Sequence, residues 1–175
     1  MAKTITREEI KSKDLRREYK RFIGEKKLDY YLSKFERMEE KNNRLSFNLS
    51  ALICSTFWCF YRKMFLPGAL FLALNFAVSF VQMRFLANAP LIVSAMVMVI
   101  ALIPNLFCGI FGNSLYYNYI HGCIDKSINM NNLQKEKYYK ENGGSSARVA
   151  AGVVAAYLIF TIALFLSFAP NFTAF

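Results

Sequence analysis

Residues 57–68 read FWCFYRKMFLPG, an apolar run halted by two adjacent cations, Arg62 and Lys63, and resumed at once. How this stretch is threaded decides the fold. The run that leads into the cations, Phe47–Phe60, has fourteen residues. As a helix it would reach about 21 Å, against about 30 Å for the hydrocarbon core of a bilayer. Three other stretches are long enough to cross. They are 65–85, around LPGALFLALNFAVSFV; 89–120, with PLIVSAMVMVIALIPNLFCGI and a kink expected at Pro104; and 147–169, around the uncharged VAAGVVAAYLIFTIALFLSF.

Two threadings compete. If the short run crosses from a cytoplasmic amino terminus, Arg62 and Lys63 fall outside, and so does the later loop with Lys126, Lys135, Lys137, Lys140 and Arg148. That opposes the excess of Lys and Arg in cytoplasmic loops. If the run lies in the interface, or dips in and returns, all of these cations stay inside. Only Arg84, in the loop near 82–89, is then outside, and the uncharged tail after Pro170 ends outside. Three crossings with a cytoplasmic amino terminus are therefore expected. Trp58 and Tyr61 are interface-seeking aromatics, and the stems of Arg62 and Lys63 can carry their charges to the headgroups. The pair serves either as a boundary marker or as a contact for lipid phosphates or an acidic partner.

The chain is 55% apolar and 16% aromatic, above the roughly 45–50% apolar content of soluble domains. Its charge is segregated. Residues 1–44 hold fourteen of the 22 Lys and Arg and nine of the 12 Asp and Glu. The net charge of +10 could suit phosphate backbones, but the cations flank membrane-length segments, so no nucleic-acid partner is expected. The first 30 residues are too charged for a secretory signal. Cys54, Cys59, Cys108 and Cys123 show no C-x-x-C spacing, and the first three, in apolar surroundings, read as small buried hydrophobes.

Within the charged region, Leu15, Tyr19, Phe22 and Ile23, then Leu28, Tyr31, Leu32, Phe35 and Met38, recur at helical spacing on either side of Gly24. Two amphipathic helices follow, able to lie on an anionic leaflet, on a partner, or against the protein's own loops. Farther on, Gly143 and Gly144 read as a turn, with a following serine capping the last helix. The spacing of a phosphate-cradling P-loop is absent.

Little chemistry is visible. His121 is the only histidine, and Leu45–Ile120 contains no Asp or Glu. No catalytic set, metal site, cofactor site or proton relay is expected, and the protein reads as a non-enzyme. Asn105, Asn113, Tyr117 and His121 recur at intervals of eight, four and four, on one helical face. They would either bond neighbouring helices together or line a small polar path. Gly152 and Ala156 give the last helix a small-residue face for close packing, within the chain or against another copy.

The tracts FIGEKKLDYYLSKFERM, SFNLSALICSTFWCFYRKMF, GIFGNSLYYNYIHGCI and the GGSS before the last apolar helix carry a resemblance. The chain is similar to the bacterial uncharacterised membrane-protein family called domain of unknown function 2628. The resemblance implies a helical membrane protein and transfers no catalytic residue. It directs attention to Tyr61, Arg62, Lys63, Met64, Gly112, Asn113, Tyr116 and His121.

The expectation is an all-α integral membrane protein, multi-pass, of a bacterial cytoplasmic membrane. Residues 1–44 form a charged amphipathic cytoplasmic region, and 45–175 a membrane domain with 47–60 interfacial or re-entrant. The expected role is an adaptor or scaffold that contacts anionic headgroups or a protein partner at its cytoplasmic face. The alternative is a small homo-oligomeric channel or transporter built on the Asn105, Asn113, Tyr117 and His121 face.

Overall fold

The computed structural model describes residues 7–85 and 89–168; the tail after Pro170 lies outside the described residues. Eight helices and no strand occur among them: α1 Arg7–Ile23, α2 Leu28–Glu40, α3 Leu49–Tyr61, α4 Phe65–Phe85, α5 Leu91–Ala101, α6 Ile103–Lys126, α7 Asn132–Asn142 and α8 Ala147–Phe168. Three helical stretches, within 65–82, 91–126 and 132–167, are long and apolar enough to cross a membrane. The long apolar stretch after Pro90 is two helices, broken at Leu102. Pro104 accounts for the break, because proline has no amide hydrogen and its ring crowds the carbonyl four residues back.

The chain divides into two compact units, residues 1–48 with 110–145, and residues 49–109 with 146–175. The first contains α1, α2, α7 and α6 from Ile110 onward. Gly24, at φ 79°, closes α1 with a bond from its N–H to the Lys20 carbonyl (3.0 Å), the left-handed turn that glycine adopts without strain. The chain then reverses into α2. The apolar stripes meet inside this unit. Tyr19, Phe22 and Ile23 of α1, and Tyr31, Leu32, Phe35 and Met38 of α2, are buried, as are Tyr116, Ile120 and Cys123 of α6. The Tyr31 and Tyr116 rings lie edge to face with centroids 4.9 Å apart, and Phe35 meets Tyr117 at 5.1 Å. This burial draws residues 110–145 into one unit with the amino-terminal helices, beyond the sequence boundary at residue 44.

The second unit contains α3, α4, α5, α8 and the start of α6. Phe76, eleven residues into α4, stacks on Tyr157, ten residues into α8 (5.4 Å). The Ser146 N–H, just before α8, donates to the Tyr61 carbonyl, just before α4, at 2.9 Å. The two helices therefore start at the same end and run parallel. The α5–α6 pair runs the other way: a crevice beside α4 is lined by Phe71 to Val78 and by Ile100 to Phe107, and the Phe71 and Phe107 rings meet at 6.3 Å.

Helix α3 is broken at Ser55, whose backbone (φ 33°, ψ −100°) is not helical. The break reverses its course. Leu52 lies so close to Gly109 that a Cβ there would meet Leu52 Cδ1 at 2.8 Å; on antiparallel α6 this is the level of the first turns of α4. Thr56 Oγ1 then accepts from Asn75 Nδ2 at 3.2 Å, about halfway along α4. Tyr61 is back beside the start of α8. Both ends of α3 thus lie toward the end of the unit where α4 and α8 begin.

Candidate functional site

Two groups of residues hold the features singled out above, one in each unit. In the charged unit they sit on α6, where a four-residue spacing stacks Asn113, Tyr117 and His121 along one face. Asn113 is fully buried. Its Oδ1 accepts from Asn48 Nδ2 at 2.8 Å, and its Nδ2 donates to Ser46 Oγ at 3.0 Å. The Ser46 N–H donates to the Ile110 carbonyl (3.1 Å), so the segment before α3 is pinned to α6 through main chain and side chain together. One turn on, the Tyr117 hydroxyl donates to Glu39 Oε1 at 2.7 Å, and the Arg44 guanidinium lies 4.8 Å from the Tyr117 ring centroid. Another turn on, Tyr19 OH and His121 Nε2 share a hydrogen bond of 2.5 Å. Burial, with the charge of Glu39 beside it, raises the Tyr19 hydroxyl well above the usual phenol range. Tyr19 therefore keeps its proton, and the tautomer of His121 sets which of the two donates.

A second network ties α1 to α7. Glu18 Oε2 accepts from the Tyr139 hydroxyl (2.6 Å) and pairs with Lys135 Nζ (2.9 Å), while Glu18 Oε1 pairs with Arg21 (3.2 Å). Burial acts to raise the Glu18 carboxyl, but the bonds from Tyr139 and Lys135 and the charges of Lys135 and Arg21 outweigh it and hold it below its ordinary range. Ser127 Oγ shares a further bond with Tyr139 at 2.9 Å. Gly143 and Gly144 close the network. A Cβ on Gly143 would meet the Phe22 carbonyl oxygen at 2.3 Å, and Gly144, at φ 70°, donates its N–H to the same oxygen at 2.7 Å. The glycine pair thus joins the ends of α7 and α1. Ser146 follows as the cap of α8, its Oγ accepting from the Val149 N–H at 3.3 Å.

In the apolar unit, YRKM forms the turn between α3 and α4. The Met64 N–H donates to the Cys59 carbonyl (2.9 Å), the Lys63 N–H to that of Phe60 (3.0 Å), and Lys63 takes a left-handed φ of 58°. This is the bonding of a left-handed helix end. Trp58, Arg62 and Met64 are buried, Arg62 being only 3% exposed, with its guanidinium 5.4 Å from the Tyr61 ring centroid. Tyr61 and Lys63 are half-buried. Of the dibasic pair, Lys63 therefore offers the more accessible charge.

The four-residue polar face expected on the long apolar stretch is divided. Asn113, Tyr117 and His121 belong to the charged unit and bond to Asn48, Glu39 and Tyr19. Asn105, half-buried, belongs to the apolar unit. Gly112 and Tyr116 are buried beside the first three. Sequence reading missed the partners Asn48, Ser46, Glu39 and Glu18; the one available signal was the polar SFN triplet opening an apolar run. It also missed the bond between Thr56 and Asn75 just past the break in α3.

Fold and site define an all-helical protein with three helices long and apolar enough to cross a membrane, joined to a charged helical unit. A family model described as protein of unknown function (DUF2628) matches residues 12–121, and the chain belongs to that family. No curated protein and no solved structure matches the chain.

Proposed function

We propose that the protein is a non-enzymatic adaptor of a bacterial cytoplasmic membrane. In this reading the apolar unit is the anchor, and α3 enters and leaves the bilayer on the cytoplasmic side. The charged unit, on that side with the amino terminus, engages anionic lipid headgroups or an acidic protein partner. One observation carries the reading: the hydrogen-bonding groups of α6 are committed to Asn48, Glu39 and Tyr19. They hold the amphipathic helices with their apolar faces inward and their charges outward. This unit contains eighteen Lys and Arg against twelve Asp and Glu. Each cation near an anionic leaflet contributes about 1 kcal/mol of attraction.

A photoreactive amino acid at exposed Lys27 or Lys137, followed in native membranes, tests the adaptor reading. Adducts with lipid or with one protein should form, and should be lost when Lys26, Arg37 and Lys41 are changed to Glu. Adducts that persist unchanged after charge reversal would refute it.

The channel or transporter reading is favoured by a different observation from the one that suggested it. Inside the apolar unit, the break in α3 at Ser55 brings Thr56 to Asn75, and irregular backbone at membrane depth is tolerated where it is buried in protein or lines a cavity. Ion or solute flux in proteoliposomes that falls with Asn75→Leu would favour this reading. The adaptor reading predicts no flux.

A further inference from the structure

The break that Pro104 imposes at Leu102 opens a crevice beside α4. Its volume is about 440 Å³, and its walls include Phe71, Leu74 and Val78 from α4 and Ile100, Ala101 and Phe107 from the α5–α6 pair. That volume lies within the roughly 300–1,000 Å³ range of small-molecule sites. Among the described residues, no charged one lines it. Its one amide, Asn75, commits Nδ2 to the Phe71 carbonyl (2.8 Å) and to Thr56 Oγ1 (3.2 Å). The walls therefore select hydrocarbon.

The crevice also has a direction. Phe71 and Val78 lie six and thirteen residues into α4, about 9 and 20 Å from its start. In a core of about 30 Å the crevice thus begins within the leaflet nearer the start of α4 and reaches just past the midplane, the region filled by the end of an acyl chain whose headgroup lies at that start. At the start of α4 the chemistry changes sign. Residues 49–109 and 146–175 contain no Asp or Glu, and three of their four cations, Arg62, Lys63 and Arg148, lie where α4 and α8 begin. Two helix amino termini add positive potential at the same end. Arg62 is buried, whereas Lys63 is half-buried and Arg148 exposed.

We propose that the crevice binds one acyl chain of an anionic phospholipid, with the phosphate headgroup at Lys63 and Arg148. This rests on the membrane reading above and adds a specific lipid site to it. The site is independent of what the charged unit binds.

Trp58 is the only tryptophan, and it lies two residues beyond Thr56, which is bonded to Asn75 in the crevice wall. The full chain is reconstituted in phosphatidylcholine vesicles containing brominated-chain phosphatidylglycerol or brominated-chain phosphatidylcholine, and Trp58 quenching is followed. Brominated phosphatidylglycerol should quench saturably and at lower mole fraction than the zwitterionic lipid. Lys63→Gln and Arg148→Gln should each weaken that preference by about fivefold. Ala101→Phe, which fills the crevice, should remove the saturable component while the helical circular dichroism is unchanged, and Val78→Phe provides a second filling variant. Linear quenching that is equal for both lipids would overturn the proposal, as would saturable quenching that survives both filling variants. Loss of self-association, with no change in quenching, on filling the crevice would show that a second copy occupies it. Failure of the chain to insert into vesicles would remove the membrane reading itself, an outcome distinct from insertion without a lipid site.

Discussion

Asn48 and Asn113, 65 residues apart in sequence, share a buried hydrogen bond of 2.8 Å. Because Asn113 also bonds Ser46, the segment leading into α3 is fixed before α3 begins. Asn113→Leu should lower stability by about 1–3 kcal/mol, the cost of removing a hydrogen-bond partner from the buried Asn48 amide. Thermal unfolding of the detergent-solubilised protein measures it. A double-mutant cycle of Asn48→Ala and Asn113→Ala should show a coupling of about 0.5–3 kcal/mol; simple additivity would deny the bond an energetic role.

The glycines divide by position. Gly143→Ala forces a methyl against the Phe22 carbonyl, 2.3 Å from the ideal Cβ, and should destabilise the charged unit by several kcal/mol or prevent its folding. Gly152→Ala on α8 meets no atom within 4 Å and should leave the midpoint of unfolding nearly unchanged. Comparison of the two melting curves tests whether α7 and α1 meet at this point.

The Glu18 network gives the charged unit an acid limit. The folded-state carboxyl lies below its ordinary value of 4.5, so the native state favours the ionised form. The stabilisation is present above the unfolded value and is lost as pH falls through the folded one. Glu18→Gln should flatten the fall in stability below about pH 4.5. Tyr139→Phe removes a donor to the carboxylate and should move the acid transition to higher pH. Unfolding midpoints measured from pH 3 to 7 decide both.

The break in α3 makes its own demand on sequence. Ser55 holds φ 33° and ψ −100°, a conformation costing on the order of 1–3 kcal/mol for a residue with a Cβ. Ser55→Gly should be tolerated or stabilising, while Ser55→Val should be disruptive. Gly109→Val, which drives side-chain atoms into Leu52, should disrupt the same contact. Yield of monodisperse protein on size-exclusion chromatography orders the variants.

What the sequence disclosed follows from what periodicity carries. The long uncharged runs announce α4 and α8, and Pro104 announces the interruption between α5 and α6. The spacing of Tyr31, Leu32, Phe35 and Met38 gives the buried face of α2, yet an apolar stripe does not name its partner. Membrane, another protein and α6 all satisfy it equally. The interval of four through Asn113, Tyr117 and His121 was legible as one face, but the groups that meet it lie 65 to 102 residues away. The reversal at Ser55 had no local signal, since neither glycine nor proline stands there. Only the surplus of cations around the short run hinted that it returns.

The proposal on which the rest depends is that α3, turning back at Ser55, enters and leaves the bilayer on one side. Single cysteines at Lys41, Lys63 and Arg84, placed in a chain with its four native cysteines replaced by serine, can be labelled with an impermeant maleimide in right-side-out and inside-out vesicles. Lys41→Cys and Lys63→Cys should react from the cytoplasmic side and Arg84→Cys from the opposite side. Labelling of Lys41→Cys and Lys63→Cys from opposite sides would show that α3 crosses, and would contradict the account.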